Sequence, residues 1–290
     1  MSSVIRTRKH VTEFMNGSAT EAMAERTRII DTHTHAFPDF LAERAIESLE
    51  ATSGDERAHL NGTISDLLRS MDRAGIEISV ICSIATAPKQ VPSITKWSME
   101  IASDRIIPFP SIHPDYPEFR DEIARIKDLG MKGIKMHPQY QGFNIDEDRV
   151  MPIYEALAAN DLILTTHAGF DISFPDDPSA SPDKTARVIQ RFPELRMIAC
   201  HFGGWRQWDE VRRYLAGKNL FFETSYTIGD LPDEKILELI RIHGEDKIVF
   251  GTDSPWRDQA ESVEEIERLA ISDELKQKIF RTNAERLLGL

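Results

Sequence analysis

Eight short apolar runs, spaced almost evenly along 290 residues, restrict what this chain can become more than any other feature of it. They are "RIID" ending at Asp31, "ISVICSI" from Ile78, "IIPFPSI" from Ile106, "MKGIKMH" from Met131, "DLILTTH" from Asp161, "LRMIACH" from Leu195, "NLFFETS" from Asn219 and "DKIVFGTD" from Asp246. Most are apolar on both faces, as strands of a parallel sheet covered on both sides must be. The stretches between them have helical spacing. "EFRDEIARIKDLG", Glu118 to Gly130, puts Phe119, Ile123, Ile126 and Leu129 on one stripe, and Gly130 ends it. Eight such strand and helix units predict an α/β chain folded as one closed (β/α)₈ TIM barrel, with an open doubly wound sheet as the alternative. No low-complexity tract or Pro/Gly linker divides the chain, so residues 27–290 are read as a single barrel domain. Residues 1–26 carry Arg6, Arg8 and Lys9 but no apolar h-region, and read as a polar leader or surface helix.

The ends of these runs carry the chemistry. His33 and His35 close the first run, His113 the third, His137 the fourth, His167 the fifth and His201 the sixth, while Asp253 closes the eighth in "GTDSPW". In a barrel those C-terminal ends converge on the active-site face. At a strand period of two, Asp31, His33 and His35 share a face, and two converging imidazoles suggest a metal ion. The segment from Ala36 to Gly62 and the Pro-rich "FPDDPSASPDK" (Phe174 to Lys184) read as insertions over that mouth.

The stretches "DTHTHAF", "GIKMHP", "TTHAG", "CHFGGW" and "FGTDSPW", in that order and followed by "NAERLLGL", resemble the amidohydrolase superfamily. Within it they look most like the branch that includes aminocarboxymuconate-semialdehyde decarboxylase, and the resemblance covers Ile29 to Leu290. It implies that His33, His35, His167 and Asp253 bind one divalent cation, and that His201 is the acid/base histidine beside them, Asp253 sharing in the catalysis. Three neutral imidazoles and a carboxylate suit zinc first, and also manganese, iron(II) or cobalt, leaving a position for water. Lys135 and His137 share a face of the fourth run. Lys135 resembles the superfamily lysine that is carboxylated to bridge two metals; with a single metal, it would instead contact an anionic substrate or a neighbouring carboxylate. His137 is a candidate substrate contact or a hydrogen-bonding rim residue, and His113 reads as structural. Arg206 is placed to pair with a substrate carboxylate, and Trp256, like Trp205 and Trp208, to wall the pocket.

A metal-activated water attacking an ester, lactone or amide is the first functional reading. Decarboxylases of this branch usually follow the strand-five histidine with proline, whereas this chain has His167-Ala168-Gly169. The alternative is a metal-dependent decarboxylase of a muconate-like or aromatic acid, and a non-catalytic binding barrel is the third. A net charge of -13 argues against nucleic acid as a partner. No apolar run approaches the roughly 20 residues of a membrane span. Only Cys82 and Cys200 are present, both in apolar runs, which suits a reducing cytoplasm. The expected partners are a small-molecule substrate and, on base rate, a second copy in a homodimer.

Overall fold

The structure, a computed structural model, describes residues 28–290. The leader read over residues 1–26 lies outside them. Eight strands follow the eight runs: β1 (Ile29–Thr34), β2 (Ile76–Cys82), β3 (Ile106–Phe109), β4 (Gly133–Met136), β5 (Ile163–Thr166), β6 (Met197–Ala199), β7 (Phe221–Glu223) and β8 (Ile248–Val249). All paired neighbours are parallel, in two arcs, β1-β2-β3 and β4-β5-β6-β7-β8. Two seams join the arcs. At one, Ser111 bridges Lys135 and the Lys135 amide donates to Pro110 O at 2.8 Å. At the other, Thr34 bridges Ser254, the Thr32 amide donates to Phe250 O at 2.9 Å, and the Asp253 amide donates to His33 O at 2.8 Å. The ring is therefore a closed TIM barrel.

Alternation along the strands separates two apolar layers. Ile30, Val80, Phe109, Ile163, Ile198 and Val249 form an inner cluster, plugged by Ala284, Leu287 and Leu288 of the helix Asn283–Leu288. Their neighbours Ile29, Ile81, Leu164 and Ile248 pack outward against the helices. Burying an aliphatic side chain of this size contributes roughly 1.5–3 kcal/mol. The helix expected from Glu118 forms over Phe119–Asp128, with Ile123 and Ile126 fully buried. Leu129 falls at its C-cap and stays exposed, because the chain turns away at Gly130 (φ 77°).

One expectation about β1 fails. Its register shifts between Asp31 and Thr34, so Asp31 does not share a face with the two histidines. Its carboxylate instead accepts from the Thr252 amide (3.1 Å), Thr252 Oγ1 (2.7 Å) and Gln259 Nε2 (2.8 Å). Burial pushes its pKa up to about 7, against the pull of those donors.

Of the two insertions, only the first lines the cavity at the mouth. The first carries the helix Asp39–Glu50. The Pro-rich stretch is a loop as far as Ser181, where the helix Pro182–Arg191 begins. No described helix is long and apolar enough to cross a membrane.

Candidate active site

His33 and His35, at the end of β1, are fixed through their Nδ1 atoms. His33 Nδ1 donates to Glu223 Oε1 (3.1 Å) and His35 Nδ1 to Cys82 O (2.6 Å). Each Nε2 is therefore a bare lone pair. The two Nε2 atoms lie 3.2 Å apart, and Asp253 Oδ1 stands 3.3 Å from the first and 3.0 Å from the second. Three acceptors facing one another repel unless a positive charge lies among them, so this donor set fits a divalent cation. Burial alone would raise the Asp253 carboxyl, but His33 and His35 beside it hold it well below the usual range. Lys135 is the cation closest to the group: Nζ is 2.9 Å from His33 Nε2 and 3.2 Å from Cys200 Sγ.

A second confrontation occurs between the ends of β5 and β6. His201 Nδ1 donates to Ser225 Oγ (2.9 Å), since that hydroxyl is itself spent on Glu223 Oε1 (2.7 Å). His167 Nε2 donates to Phe170 O (2.9 Å). Bare His201 Nε2 and His167 Nδ1 thus meet at 3.0 Å, an arrangement that calls for a shared proton or a cation. Burial, then repulsion from His167, lowers His201 to about 3. His201 and Asp253 both adopt left-handed backbone (φ 56° and 62°), a cost tolerated where geometry serves a site.

Of the four expected ligands, then, three converge. His167 is joined to them through His201, and it stacks on His137 (4.2 Å between ring centroids) with Asp171 close to both rings. Burial lowers His137 to about 3; Asp171, which burial would raise, is held at about 2 chiefly by its contact with His137. The His113 Nδ1 accepts the Asp115 amide at 3.1 Å, a structural role. Trp256 lines the cavity above the histidines, together with Lys135 and His137. Arg206 does not. Its guanidinium lies 4.1 Å over the Trp205 ring, in an adjoining hollow that Arg57 and Arg257 also line. Trp208 donates to His201 O at 3.2 Å.

Glu223 was not foreseen. From the end of β7 it accepts from His33 Nδ1, the His201 amide (2.7 Å), the Ser225 amide (2.8 Å) and Ser225 Oγ. It therefore orients both histidine sets at once, and its pKa is held at about 2: burial works upward, and His33 outweighs it together with the other donors. Gly251 makes room for it, since a Cβ there would lie 2.3 Å from Glu223 Oε2. The signal was an acidic residue ending an apolar run where other runs end in histidine.

Gly169 has a backbone explanation. The Trp205 amide donates to Ala168 O (2.9 Å), and a Cβ on Gly169 (φ 86°) would lie 2.2 Å from Trp205 N. Above these groups opens a cavity of about 720 Å³.

The amidohydrolase family profile matches residues 30–290. No curated protein matches the chain. An uncharacterised TIM-barrel protein from Bordetella bronchiseptica superposes with a TM-score of 0.71 at 23% identity, covering 90% of this chain and 98% of that one. A dihydroxybenzoic acid decarboxylase from Polaromonas sp. JS666, with bound manganese and 2-nitroresorcinol, gives 0.70 at 18% identity, covering 91% and 98%. A 5-carboxyvanillate decarboxylase from Novosphingobium aromaticivorans, complexed with manganese, gives 0.68 at 19%, covering 91% and 96%. At these identities the likeness is one of fold.

Proposed function

Because the chain belongs to the amidohydrolase family, we propose that it is a metal-dependent carboxy-lyase that removes CO₂ from an aromatic or muconate-like carboxylic acid. The observation that carries this reading is the burial of the polar cluster: His33, Lys135 and His201 are 1%, 1% and 3% exposed. A substrate carboxylate held there has lost its hydration, which favours its departure as neutral CO₂. The decarboxylases of like fold support the same chemistry. Hydrolysis rested on His167-Ala168-Gly169, of which the crossing Trp205 backbone accounts for Gly169 without reference to water.

His33 and His35 through Nε2 and Asp253 through Oδ1 would hold the cation, with His167 Nδ1 completing the set. Manganese, present in two structures of like fold, suits these nitrogen and oxygen donors as well as zinc does. When bound, the cation supplies a Lewis acid that fixes the substrate oxygens and offsets their charge. Lys135 adds a second positive charge beside His33, so its role is to draw the acid toward the buried end. His201 carries the proton. With Nδ1–H committed to Ser225, Nε2, bare at rest beside His167 Nδ1, is the atom that takes up a solvent proton and passes it on. As the bond to the carboxylate breaks, its electron pair stays on the substrate carbon, which takes the proton from His201 Nε2.

The test is a panel of dihydroxybenzoates, 5-carboxyvanillate and muconate-like acids, run in D₂O with manganese-loaded or zinc-loaded protein. CO₂ release with one solvent deuteron on the product carbon is expected. Hydrolysis of esters, lactones or amides with uptake of labelled water oxygen, and no CO₂ from any acid, would overturn the reading.

A further inference from the structure

The cavity is far larger than its reacting end requires. A benzene ring fits a void of about 150 Å³, so a single-ring acid leaves most of the 720 Å³ unfilled. The two ends of the space also differ in kind. His33, His35, His201 and Asp253 line the buried end, whereas Phe37, Leu41, Leu49, Ile84, Ile94 and Trp97 supply much of the remaining wall, with Arg44, Lys96 and Glu100 also lining the cavity. The six apolar residues come from the first insertion, from the turn after β2 and from the helix Val91–Ile101. Phe40 and Leu41, also on this wall, are 85% and 37% exposed. Large apolar side chains grouped at the mouth of a cavity mark a surface that a ligand covers.

We infer that the substrate is amphipathic. Beyond its reacting head it carries an apolar arm, alkyl or aryl, that lies between the helices Asp39–Glu50 and Val91–Ile101. The inference rests on the reading of the polar end as the reacting end, and it names what the rest of the cavity receives.

Two probe series with the same arms separate these points. 4-n-Alkylbenzoates and 4-n-alkylbenzyl alcohols, from methyl to hexyl, are titrated by calorimetry into the protein with manganese and after chelation. The slope with arm length reads the arm, and the difference between acid and alcohol of equal arm reads the head. Affinity is expected to rise about fourfold per methylene, the transfer value for a buried CH₂ group, in both series and with or without metal. Leu41→Asp, at a partly exposed helix position that tolerates a charge, should flatten that slope and leave the methyl members unchanged. Two outcomes would overturn the inference: a flat or falling slope in the unsubstituted protein, or an unchanged slope in Leu41→Asp. A steep slope with no preference for the acid would instead remove the carboxylate head and keep the arm.

Discussion

Replacing Glu223 by glutamine tests the most consequential group that the sequence left unmarked. The side chain keeps its size but loses its charge and one acceptor. Oε1 receives three donors, His33 Nδ1, the His201 amide and Ser225 Oγ, and Oε2 receives the Ser225 amide. The best-placed glutamine keeps its oxygen on the three and points its NH₂ at the Ser225 amide, donor against donor. A pKa of about 2 rather than 4.5 is worth about 3 kcal/mol of stability at neutral pH, and the orphaned amide costs roughly 1–3 kcal/mol more. At about 2 °C per kcal/mol for a chain of this size, Glu223→Gln should melt about 8–12 °C lower. Metal affinity should fall roughly 10–100-fold, because His33 loses the partner that fixes its tautomer. Calorimetric melting and a competitive chelator titration measure the two effects. A variant that melts and binds metal like the parent would refute the claim that an ionised Glu223 holds both histidines.

His201→Asn should keep the metal and lose most turnover, whereas His33→Ala should lose both; metal analysis beside rate measurements tells the two apart, and a fully active His201→Asn removes its proton role. His243, away from the site, is lowered to about 4 by burial, with Nδ1 accepting from the Gly217 amide and Nε2 donating to Leu220 O. A depressed folded-state pKa gives stability that is complete above the unfolded value near 6.5 and lost as pH falls toward 4, about 2 kcal/mol of it by pH 5. Denaturant midpoints at pH 7.5 and 5 should show that loss, and His243→Gln should reduce it; identical pH slopes would exclude His243 as its source. Cys82 and Cys200 are both buried, which pushes Cys82 up to about 12 and Cys200 well above the usual thiol range. Neither should react with a thiol reagent in the folded protein, and both should in denaturant; a fast native reaction would show that the barrel opens there.

The barrel was legible because each of its eight strands is a local apolar run, and the active face because most runs end in a residue of unusual chemistry. What the sequence hid depended on geometry between runs. Asp31 is in phase with His33 by counting, but the register shift after it turns it toward Gln259. Asp171 lies in a loop, and only folding brings it beside His137. Arg206 is close to the site in sequence, but a left-handed residue (φ 58°) directs it over Trp205. The need for glycine at Gly169 was hidden because the backbone that crosses it comes from the following β/α unit.

The two seams of the barrel have a consequence for its motion. Three strands on one side and five on the other are laddered within themselves; between them the Thr32, His35 and Asp253 amides and the Asp31 carboxylate tie β8 to β1, and the Lys135 amide ties β3 to β4. Opening free energies within a fold follow such divisions, and laddered units open together. In a native-state hydrogen-exchange experiment the amides of Thr32, Lys135 and Asp253 would therefore report hinge-like parting of the two arcs, at a lower free energy than the β1–β2 or β4–β5 ladders. Since His33 and His35 stand on one arc and Asp253 on the other, any ligand that gathers those three side chains closes the seam between β8 and β1, and its arrival can be read as slowed exchange at Thr32 and Asp253.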